Sequence, residues 1–202
     1  MSDVDTIYAL SSAPGRAGIA VVRLSGPKAA AALEALAGRV PTASGLGVVP
    51  AADTAVASQR LRIVLSASAA YTVVHCCGGP APFPEIRAAG AGAVSFDLAQ
   101  LPARDTDRVA EIAEEGLGIF AGALPTRSAA RLLTGPQLLP RETAEQVATL
   151  WRRTGLAPGR LTEQVVITPA CGLAGASPAA ARAALRHCRE AARIVPEMIE
   201  AS

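Results

Sequence analysis

Tyr71-Thr72-Val73-Val74-His75-Cys76-Cys77 and Val165-Val166-Ile167-Thr168-Pro169-Ala170-Cys171 are the two stretches on which the fold turns. Each is a short run rich in β-branched residues that stops at side chains able to bind soft metals, and such runs suit strands. Side chains alternate faces along a strand, so His75 and Cys77 project to one side and Cys76 to the other. A third run, Ala93-Val94-Ser95-Phe96-Asp97, lies between them and ends in a carboxylate. His75 and Cys77 at one strand end, with Asp97 and Cys171 at two others, make a donor set of the kind tetrahedral zinc takes.

Around these strands the pattern alternates. Val56 to Ser66 predicts a helix with arginines outside, and Phe83 to Ala89 a short one before the strand at 93–98. Asp105 to Gly116 is amphipathic, with Asp105 as its cap and Gly116 as its stop. Leu117 to Leu124 reads as an apolar strand, Arg141 to Thr154 as a helix that packs Trp151 on the sheet, and Ser177-Pro178 opens a long final helix. Strands alternating with helices imply an α/β fold with a parallel sheet and right-handed crossovers.

The pattern His-x-Cys, strand-end carboxylate, Pro-x-Cys-Gly-Leu resembles the zinc pattern of cobalamin-independent methionine synthases. The run Thr168-Pro169-Ala170-Cys171-Gly172-Leu173-Ala174-Gly175-Ala176-Ser177-Pro178 is similar to their short, single-barrel members. The resemblance spans about Ala55 to Arg193. It implies the second, four-stranded half of a (β/α)8 barrel over residues 55–202, with His75, Cys77 and Cys171 as zinc ligands. Asp97 stands where that family has glutamate, and Ala123-Leu124-Pro125 stands where it has a histidine turn. By this resemblance the module is a zinc-dependent methyltransferase. Zinc would take up a thiol such as homocysteine, deprotonate it and present a thiolate to a methyl donor. A full barrel has eight strands and about 250 residues, so the module is incomplete.

The beginning of the chain is different. Thr6 to Ser12 and Ile19 to Leu24 read as two strands around the turn Pro14-Gly15-Arg16-Ala17-Gly18. Ser25-Gly26-Pro27 then opens a helix over Ala29 to Ala37 that Gly38 closes. Asp5-Thr6-Ile7, Pro14-Gly15-Arg16-Ala17-Gly18-Ile19 and Val22-Arg23-Leu24-Ser25-Gly26-Pro27 resemble the start of the tRNA-modification GTPases of the MnmE (TrmE) type. That resemblance, read over residues 3 to about 38, implies a folate-binding and dimerisation piece in which Arg23 contacts a tetrahydrofolate derivative. It is the alternative reading of the chain, with the remainder an inactive passenger. A piece this short predicts no measurable folate binding, since one charged contact contributes only about 1.5–3 kcal/mol. No Gly-x-x-x-x-Gly-Lys-Ser/Thr loop occurs in the sequence, so these residues carry no phosphate loop for GTP hydrolysis. The domain boundaries expected are thus a strand-turn-strand-helix unit at 1–40, a Pro/Gly/Ala/Ser-rich linker at 41–54 and the zinc module at 55–202.

Composition narrows the classes further. Half of the 202 residues are hydrophobic and only 3% aromatic, so the core is built from Ala, Val, Leu and Ile. A formal net charge of +2 argues against a nucleic-acid partner or an anionic membrane surface. Lys28 is the single lysine, and the arginine excess reads as genome composition. The acidic start Met1-Ser2-Asp3-Val4-Asp5 lacks signal-peptide character and no run of eighteen apolar residues appears, so a cytoplasmic, reduced setting is expected. Cys76 is assigned to the core, and His187 and Cys188, adjacent on the last helix, to structure. Gly90-Ala91-Gly92 lacks the third glycine of a dinucleotide loop. Four parallel strands leave open edges and an apolar inner face carrying Val73, Ile119 and Val166, which predicts a homodimer or an aggregation-prone chain.

Overall fold

The computed structural model describes residues 7–10, 22–25, 54–66, 71–76, 81–126, 138–173 and 176–200. Strand β1 (Ile7–Leu10) pairs with β2 (Val22–Ser25) in a two-stranded sheet. Helix α1 (Thr54–Ser66), β3 (Val73–Cys76), α2 (Phe83–Ala88), β4 (Ala93–Asp97), α3 (Thr106–Glu114), β5 (Gly118–Leu124), α4 (Pro140–Thr154), α5 (Pro158–Gln164), β6 (Val165–Pro169) and α6 (Pro178–Glu200) follow. The second sheet has four strands in the order β3-β4-β5-β6. Strand order follows chain order, as the alternating pattern predicts for a parallel α/β sheet. The chain divides into two compact units, residues 1–94 and 95–202.

In the first unit β1 and β2 are antiparallel, with Ala9 opposite Arg23 and Tyr8 opposite Leu24. The expected turn at 14–18, the helix at 29–37 and nearly all of the linker at 41–54 lie outside the described residues. Helices α1 and α2 pack together, and the Arg62 guanidinium donates to the carbonyl of Ala88, near the end of α2. Prolines favour the first turn of α2, and Gly90 (φ 81°) ends it in the left-handed region. Phe83 and Ile86 on α2 are each 1% exposed and join Val64 and Leu65 in a small core. At Gly92 the backbone passes close to Tyr71: a Cβ there would lie 2.7 Å from the ring. The Tyr71 hydroxyl donates to the Gly92 carbonyl (2.7 Å), and the N–H groups of Gly92 and Ala93 donate to the Thr72 carbonyl. These bonds tie the start of β4 to the residues that lead into β3.

The second unit is built around β5 and β6. They run parallel, with Ile119 opposite Val165, Phe120 opposite Val166, Ala121 opposite Ile167 and Gly122 opposite Thr168. Paired residues share a face. Ile119, Ala121 and Ile167 are buried beneath α4 and α6. Phe120 and Val166 look the other way, and Val166 is 46% exposed. The expectation that Ile119 and Val166 share one open apolar face is therefore wrong by one position: Ile119 belongs to the helix-covered side. Gly122 is the point of closest approach. A Cβ there would meet the Phe96 carbonyl at 2.6 Å and the Ala170 Cα at 2.7 Å, beside a register shift between Gly122 and Leu124.

Helix α4 begins at Pro140, with the Glu142 carboxylate accepting from the Leu139 N–H (2.8 Å), and ends at Gly155 (φ 70°). This is half of a capping box at one end and a left-handed stop at the other. Trp151, 1% exposed, packs as expected, and its indole N–H reaches the Ala157 carbonyl (3.2 Å). Helix α6 starts where the Ser177 hydroxyl accepts from the Ala180 N–H (3.2 Å), the cap that Ser177-Pro178 predicts. Asp105 behaves otherwise than expected. Its side chain makes no cap hydrogen bond; it is 2% exposed and pairs with Arg108 at 3.4 Å. The seven-residue α5 has no counterpart in the sequence reading. Its Arg160 and Gln164 side chains both donate to the Ala113 carbonyl near the end of α3, which also accepts from the Gly116 N–H.

Candidate functional site

Arg23 sits in the middle of β2, in register with Ala9. The backbone of Arg23 is thereby paired with the antiparallel strand β1, which begins at the Ile7 of the N-terminal pattern.

The zinc donors do not assemble from the described residues. Among these there is no group of three or more His, Cys, Asp and Glu side chains that could hold one metal ion. Asp97 is engaged locally: its carboxylate accepts from the Ala99 N–H (3.0 Å) and the Gln100 amide (2.7 Å), closing the short turn at 98–100. That is the helix-cap role of a short acid, for which Asp suits better than Glu. His75 is half-buried at the end of β3, and Cys171 is exposed two residues beyond β6. Cys77 lies outside the described residues.

The two residues assigned to structure are buried. His187 (6% exposed) and Thr143 (0% exposed) form a 2.8 Å hydrogen bond between α6 and α4. Burial lowers the pKa of His187, against the opposing pull of Glu190 and Glu142. Cys188, 3% exposed, has its thiol pushed up to about 11 by burial. Neither group is available for proton transfer or nucleophilic attack at neutral pH.

One open cleft of about 310 Å³ lies in the second unit, between the turns after β4 and helix α4. Leu98, Leu101 and Leu150 form its apolar floor. Its charged rim is already engaged: Glu142 caps α4, Glu145 pairs with Arg152, and Arg153 donates to the Ala103 carbonyl (3.2 Å). The Arg152 guanidinium holds the Glu145 carboxyl below the usual carboxylate range. No acid–base pair faces the cleft, so it offers volume without chemistry. No helix among the described residues is long and apolar enough to cross a membrane.

Comparison with known proteins bears on the first unit and, in the longer alignments, reaches past residue 94. Residues 6–94 match the family model described as GTP-binding protein TrmE N-terminus. Among curated relatives, a tRNA modification GTPase MnmE of Rhodospirillum rubrum is 68% identical over 40 residues, 20% of this chain and 9% of that protein. The Sinorhizobium medicae protein of the same description is 36% identical over 117 residues, 56% of this chain and 25% of its own length. The Cereibacter sphaeroides protein is 30% identical over 153 residues, 62% of this chain and 36% of its own length. The chain therefore spans roughly a third or less of these relatives.

The family match and the first compact unit both end at Val94. The N-terminal resemblance does not stop near residue 38 but runs through the expected linker and through β3. His75 and Cys77 fall within it, and the methionine synthase-like reading of residues 55–193 finds no support in these matches.

Proposed function

We propose that residues 6–94 act as a TrmE-type N-terminal module in tRNA modification, binding a tetrahydrofolate derivative and bringing two copies of the chain together. The observation that carries this reading is the family match over residues 6–94. The short alignment at 68% identity supports it, since few substitutions separate this stretch from a protein described as a tRNA modification GTPase. Arg23, on strand β2 paired with β1, is the residue assigned to the anionic tail or pterin of the folate. A planar guanidinium suits a carboxylate because it offers two parallel donors. GTP hydrolysis is not assigned to this chain, because no phosphate-loop motif occurs in its sequence.

Calorimetric titration of the full chain with 5-formyltetrahydrofolate tests the reading. Saturable binding is expected, weakened by about 10- to 100-fold in Arg23→Ala, as befits loss of one charge-assisted contact of about 1.5–3 kcal/mol. Absence of saturable heat at millimolar ligand, with the chain folded, overturns it. The longer match changes the expectation from the sequence reading, which counted only the first forty residues.

A further inference from the structure

We draw no further inference here: the strongest candidate, the face of strands β5 and β6 turned away from α4 and α6 and carrying Phe120 and the exposed Val166, supports no assignment because nothing in the structure shows what covers it.

Discussion

His187 and Thr143 are joined by a 2.8 Å hydrogen bond that links α6 to α4 at the centre of the second unit, with both residues buried. Which partner donates depends on the imidazole tautomer. The neutral ring is what this position accommodates, because burial lowers the His187 pKa from its ordinary value.

The sign of the pH dependence follows. Below about pH 6.5 the unfolded chain takes up a proton on this histidine before the folded chain does. Stability is therefore full above that pH and falls as pH drops from 6.5 toward the lowered folded value. The negative charges of Glu190 and Glu142 oppose the shift and moderate the fall. Urea midpoints at pH 7.5 and pH 5 should show the drop, and a Thr143→Val/His187→Leu variant should lack this component. Thr143→Val alone should cost about 1–3 kcal/mol, because it leaves a buried ring nitrogen unpaired. A double variant as pH-sensitive as the parent contradicts the assignment.

Gly122→Ala should be among the most damaging single-methyl changes in the chain. The new Cβ would press on the Phe96 carbonyl and the Ala170 Cα, backbone atoms that no rotamer change can move aside. A loss of about 1–3 kcal/mol is expected in denaturant unfolding. Gly159→Ala, where nothing lies within 4 Å, provides the control and should change stability little. Equal effects at the two positions would show that β5 and its neighbours are farther apart than described.

Thiol reactivity should rank the described cysteines. Cys171 is exposed and Cys188 is buried with its thiol pushed up to about 11. A disulfide reagent at neutral pH should label Cys171 in the native chain and Cys188 only as the second unit unfolds. Mass spectrometry of digested samples reads this directly. Early labelling of Cys188 would mean that α6 is not packed on α4 as described.

Metal content separates the two readings made from sequence. Among the described residues no three members of the zinc set come together. Elemental analysis of the purified chain should find well below one zinc per chain. One equivalent, retained through dialysis and lost in Cys77→Ser/Cys171→Ser, would restore the methionine synthase-like site.

Much of the architecture was legible because the strands announce themselves. Val73-Val74, Ala93-Val94 and Val165-Val166-Ile167 are short apolar runs between turn residues, and all three are strands. The facing of β5 was not legible. Gly118 to Leu124 is apolar throughout, as strands buried on both sides are, so alternation carries no signal about which side Ile119 takes. Helix α5 hid behind Pro158-Gly159, which reads as a turn, and is too short to show a period. Asp105 has the residue type of a cap, but an arginine three positions on competes for its carboxylate.

The donor set was legible only as a pattern. Donor spacing in sequence says which residues share a strand end, not whether separate strand ends meet around one ion. Asp97 shows the difference, since a local turn claims its carboxylate. The extent of the N-terminal match was missed because residues 41–53 carry no motif.

The sheet order β3-β4-β5-β6, with each strand beside its predecessor in the chain, also determines how the sheet is made. No strand waits for a distant segment to be inserted between two others, so the sheet grows at one edge as the ribosome releases each unit. The last addition is the slow one. Ile119 and Val165 are partners across the α4–α5 connection, and joining them closes the longest loop between paired strands in this sheet. Until α6 emerges after β6, Ile167 has no cover and the nascent edge is sticky. A stalled chain ending near residue 177 is thus the species most in need of a chaperone.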